Sequence, residues 1–130
     1  MINRAALLLR YKTAALKWII ESDPQDATLR QLSLEDINKD RQLYLIHEID
    51  AQTVADWREW IERNFEAIFE NELASWHIDD ELWPEKLSLA LFDEWFDVEC
   101  HTMVTDTVAS PIEDDDDSEL EDWTPPSLLN

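Results

Sequence analysis

The sequence predicts a mainly α-helical single domain: a compact bundle of about four helices over residues 1–109, followed by a disordered acidic tail over 110–130. Three observations carry that expectation. Long stretches repeat apolar residues at helical spacing. Four Val stand against 17 Leu and 11 Ala, a balance that favours helix over strand. From Ser110 onward the apolar period disappears, and acids and prolines take over. The length of 130 residues suits one domain, and a 45% apolar content with seven Trp is enough to fill a core.

The first helix is expected over 3–22. Ala5, Leu8, Leu9, Leu16, Ile19 and Ile20 recur at helical spacing, and Asp23-Pro24 closes the segment because the residue before proline avoids the α region. A short second helix, 33–40, opens on Ser33 with Asp36 three residues later, a variant of the capping box. Residues 43–47 read as a short edge strand or an apolar turn. The β-branched stretch 98–108 offers it a partner, so a short two-stranded element is the alternative to an all-helical chain.

The third helix, 53–75, has the clearest pattern. Thr53 is its expected N-cap, and Trp57, Trp60, Ile61, Phe65, Ile68, Phe69 and Leu73 line one broad face. A fourth helix is expected over 84–106, with Pro84 at its first position. Leu87, Leu91, Phe92, Trp95, Phe96, Val98 and Met103 point inward, and Lys86, Asp93, Glu94, Asp97 and His101 outward. The tryptophans are expected to build a Trp-rich core; an exposed Trp60 and Trp76 would instead mark an interface.

Composition removes several function classes. There is no glycine, which excludes Gly-rich phosphate loops and disfavours tight two-residue hairpins. A single cysteine excludes an internal disulfide and a Cys-based zinc knuckle. A net charge of -21 repels phosphate and argues against direct nucleic-acid binding. No run of 18 apolar residues offers a membrane span. Arg4, Arg10, Lys12 and Lys17 precede the first acid, as in a transit peptide, but the segment reads better as the start of the domain. A cytoplasmic location is expected, and the lone Cys100 suits a reducing compartment.

Candidate chemistry is sparse, and no cofactor or specific metal site is expected. Cys100 stands beside His101, but helical neighbours in sequence do not share a face, and Glu99 beside the thiol disfavours a thiolate. Asp97 and His101 share a helical face and need further ligands to hold a metal. The acids at 79–81 and 114–117 lack a calcium-loop pattern. Glu99 and Asp106 fall on the apolar side of the expected fourth helix, where burial would raise a carboxyl pKa. A small hydrolase or metal-dependent enzyme using Asp97, Glu99 and His101 is therefore the alternative function. It requires those groups to converge in a cleft.

The acidity is the stronger signal. Residues 42–130 hold 25 acids against Arg58, Arg63 and Lys86, and even without the eight acids between Glu113 and Asp122 the chain carries -13. Glu59, Glu62, Glu66 and Glu70 line the third helix opposite its apolar face. Like charges four residues apart oppose an isolated helix by about a few tenths of a kcal/mol per pair. Their spacing of about 6 Å is similar to that of phosphates along a nucleic-acid strand. The expected function is a non-catalytic module that binds a basic protein surface, with mimicry of nucleic acid toward a nucleic-acid-binding protein as one form. Its partner-binding residues are Glu59, Glu62, Glu66 and Glu70 together with Asp114, Asp115, Asp116, Asp117 and Trp123 of the tail. The alternative roles of the tail are to solubilise the chain or to fold back on the basic first helix. A homodimer through an exposed apolar face is a third reading.

Overall fold

A computed structural model describes residues 1–114. The chain runs through β1 (Arg4–Tyr11), α1 (Thr13–Glu21), α2 (Ala27–Arg30), α3 (Leu34–Ile37) and β2 (Leu43–His47). It continues through a 3₁₀ turn (Glu48–Ala51), α4 (Val54–Trp76), a second 3₁₀ turn (Asp80–Leu82), α5 (Leu89–Trp95) and β3 (Phe96–His101). The fold is mixed α/β, with a three-stranded antiparallel sheet of order β2-β1-β3. The expected mainly α, four-helix bundle is thereby overturned, and with it the all-alpha assignment.

The expected first helix is two elements. Residues 4–11 form the central strand, and only Thr13–Glu21 is helical. Ala5, Leu7, Leu9 and Tyr11 are buried on one face, a period of two. An unbroken Ala-Leu run conceals that period because it is apolar on both faces. Lys12 is extended at φ -101, ψ 173, and its N–H donates to the Trp95 carbonyl at 2.7 Å, which separates strand from helix.

The expected fourth helix is also divided. Ser88 caps α5 through a hydrogen bond from Leu91 N at 3.1 Å, and the chain becomes extended at Phe96. The expected two-stranded element involved the right segments with the wrong pairing. Residues 43–47 and 96–101 never meet, since β1 lies between them (Leu7↔Tyr44 and Leu7↔Cys100). Met103, expected inside, is 82% exposed, and Glu99 and Asp106 also face solvent.

Two expected helices are present. In α3 the Ser33 hydroxyl accepts from Asp36 N at 3.1 Å, while Asp36 accepts from Ser33 N at 2.9 Å. Thr53 and Asp56 make the same reciprocal pair at the start of α4. Helix α4 buries Trp60, Ile61, Ile68, Phe69 and Leu73. Phe69 packs edge-on against Phe92, Trp95 and Phe96, which brings α4, α5 and β3 into one core. Trp60 and Trp95 are buried, as expected of a Trp-rich core. The half-buried Trp18, Trp76 and Trp83 each satisfy their indole N–H, by Leu82 O, Tyr11 Oη and His77 O respectively.

No described residue has a positive φ, so the lack of glycine carries no penalty. The strands are joined by long connections rather than tight hairpins. Residues 110–114 carry neither helix nor strand, and the rest of the expected tail, 115–130, lies outside the described residues.

Candidate protein-interaction surface

Because α4 buries one stripe, its opposite stripe must face water. Glu59, Glu62, Glu66 and Glu70 are all exposed on it. Arg63 relieves one end, reaching Glu59 at 3.2 Å and Asp50 at 3.7 Å. Arg58 turns away to Asp93 at 2.5 Å. Glu62, Glu66 and Glu70 form no ion pair with any described residue. They therefore remain as a row of charges spaced by about 6 Å. Asp114 is exposed. Asp115, Asp116, Asp117 and Trp123 lie outside the described residues.

The residues of the enzymatic alternative occupy β3 instead of a helix. Alternation along the strand puts Asp97, Glu99 and His101 on one exposed face and turns Cys100 to the other. His101 Nε2 lies 3.2 Å from Glu99 Oε2, while Asp97 pairs with Lys12 at 3.7 Å. The three do not converge. Burial pushes the Cys100 thiol above its ordinary pKa. Among the described residues no group of three or more His, Cys, Asp or Glu is placed to hold a metal ion.

Sequence reasoning missed a buried carboxylate. Glu72 is 5% exposed, on the inner side of α4. Its Oε1 accepts from Tyr11 Oη at 2.6 Å and its Oε2 from Tyr44 Oη at 2.5 Å. Trp76 Nε1 donates to Tyr11 Oη at 3.0 Å, and Asn71 Nδ2 to Tyr44 Oη at 2.8 Å. Desolvation pushes the Glu72 carboxyl above the usual range, against the pull of the two phenol donors. Burial and the adjacent carboxylate push both phenols up as well, so they stay protonated donors. The signal was present: Glu72 lies four residues after Ile68, in phase with the apolar stripe. The cluster borders a cleft of about 220 Å³ that Ile37, Asp40, Gln42 and Ser75 help to line. Its hydrogen bonds join β1 and β2 to α4, and this is the geometry of a lock between sheet and helix.

A second cleft, of about 370 Å³, gathers Arg10, Lys39 and Arg41 beside Leu34, Glu35 and Asn38. The expected division of charge, with cations early in the chain, thus becomes a local basic patch.

No protein family, curated protein or solved structure matches this chain.

Proposed function

We propose that this chain is a non-catalytic acidic module that binds a basic protein surface in the cytoplasm. One observation carries the reading: Glu62, Glu66 and Glu70 stand exposed, in line and without cationic partners among the described residues. A helix presents these charges from a fixed backbone, so the cost of docking falls on the glutamate side chains and not on the chain that carries them. The field of a protein with net charge -21 speeds encounter with a cationic partner and weakens with salt. Carboxylates at phosphate-like spacing suit a partner that otherwise grips nucleic acid, and Glu59 and the acids of 114–117 extend the same field. Trp123 would supply an apolar anchor beside them.

The test is capture from lysate with the full chain and with its Glu62→Gln/Glu66→Gln/Glu70→Gln variant, eluted by a salt gradient. The reading expects a basic protein retained by the natural chain, lost by the variant and displaced by duplex DNA. Equal retention by both chains would overturn it.

A further inference from the structure

A three-stranded sheet covered by helices on one side leaves its other face open. The register here sets Arg4 beside His47, Ala6 between Leu45 and His101, Leu8 between Leu43 and Glu99, and Arg10 beside Asp97. Leu43 and Leu45 are 53% and 47% exposed, although the same strand buries Tyr44 and Ile46. Leu9 N donates to Gln42 O at 3.3 Å, which carries the β1–β2 ladder one step past Leu43. Arg41 precedes β2 by two residues, and it lines one cleft with Arg10 and Lys39.

Cations gathered in one cleft repel one another. Lys39 has Asp36 at 3.6 Å, but neither Arg10 nor Arg41 pairs with an acid among the described residues. The open face is thus a small apolar patch of Leu8, Leu43 and Leu45, bordered on β3 by Asp97 and Glu99 and ending in the cluster of Arg10, Lys39 and Arg41 beside Glu35.

We propose that this face is the docking site of the chain's own residues 115–130. The acids between Asp115 and Asp122 would lie over Arg10 and Arg41, with Trp123 against Leu43 and Leu45. Charge complementarity selects this occupant, because the segment joins six carboxylates to Trp123, Leu128 and Leu129. A free phosphate would leave the leucines uncovered, and a nucleic acid would meet the negative field of the body without the tether that holds the tail beside it. Reach is sufficient. Ile2 N donates to Val104 O at 2.8 Å, so the chain leaves β3 beside the start of β1. The nine residues from Asp115 to Trp123 span about 30 Å when extended, against about 20 Å from Arg4 to Arg10. The covalent tether supplies an effective concentration on the order of millimolar without a tight intrinsic affinity. This docking does not depend on the α4 glutamates binding a partner, and it competes with any partner for Trp123 and the acids after Asp114.

The test compares amide NMR spectra of the full chain with those of a full-length variant carrying Asp115→Asn, Asp116→Asn, Asp117→Asn, Glu119→Gln, Glu121→Gln, Asp122→Asn and Trp123→Ser. These substitutions lie outside the described residues. Shifts gathered at Leu8, Arg10, Arg41, Leu43 and Leu45, and unchanged on dilution, are expected. A second arm follows the Trp123 indole signal, which should move in Arg10→Glu/Arg41→Glu and hold still in the control Arg30→Glu/Lys86→Glu. Absent shifts, shifts gathered elsewhere, equal responses to both charge reversals, or shifts that grow with protein concentration and so indicate a second copy, would each overturn the proposal.

Discussion

Tyr11 and Glu72 are 61 residues apart in sequence and joined by a hydrogen bond of 2.6 Å in the buried interior. The bond ties the central strand to the long helix. Tyr44, from the neighbouring strand, takes the other carboxylate oxygen. A helix rotated by one residue, about 100°, would carry Glu72 away from both phenols, so the cluster sets the rotation of α4 on the sheet. Either Tyr11→Phe or Tyr44→Phe should lower stability by about 1–3 kcal/mol, because each leaves a buried carboxylate oxygen short of its donor. Urea denaturation measures this, and an unchanged midpoint in both variants would contradict the lock.

The same carboxyl makes stability depend on pH. Burial raises its folded pKa above the unfolded value, so the native state favours the protonated form. That contribution is fully present below the ordinary glutamate pKa of 4.5 and is lost as pH rises through the folded value. Glu72→Gln keeps an acceptor and cannot ionise. Its stability relative to the natural protein should therefore improve steadily as pH is raised from the ordinary value toward neutrality. Paired urea melts across that range decide it, and a pH-independent difference would remove Glu72 as the cause.

Strand alternation in β1 and β2 gives a sharp contrast between two leucines. Leu7 is fully buried and Leu45 is half open. Leu7→Ala should cost about 2–5 kcal/mol through the cavity it leaves. Leu45→Ala should stay within about 0.5 kcal/mol, as for most surface substitutions. Thermal melts of the two variants test the face assignment, which equal losses would refute.

The start of α4 offers a local test. Thr53 Oγ1 accepts from Asp56 N, and Asp56 Oδ2 accepts from Thr53 N, both at 3.1 Å. Thr53→Ala should lower stability by about 1 kcal/mol, and Thr53→Ser should restore most of it. Guanidinium denaturation separates them. Equal stability of the Ala variant and the natural chain would mean that the cap is energetically idle.

Legibility in the sequence followed local physics. The caps at Ser33 and Thr53 and the apolar stripe of α4 depend on residues three or four apart, and they could be read directly. The outward row at Glu59, Glu62, Glu66 and Glu70 followed from the same periodicity. The buried Glu72 was legible only as an oddity of phase, since both of its donors come from strands far away in the chain. The neighbourhood of Asp97, Glu99 and His101 changed character with the element that bears it. On a helix, Asp97 and His101 share a face without Glu99, whereas on β3 all three align toward solvent.

The sequence by itself determined the strong acidity, the concentration of cations in its first third, the long amphipathic helix and the starts of α3 and α4, all of them properties of composition or of near neighbours. Only the tertiary structure decided that residues 4–11 and 96–101 are strands. A run such as Ala5-Ala6-Leu7-Leu8-Leu9 has no period of its own and takes one from what packs against it, here the flanking strands and the aromatic core that selects Ala5, Leu7 and Leu9. Tertiary structure likewise brought Arg10 into one cleft with Lys39 and Arg41, because folding joins residues that no local pattern relates.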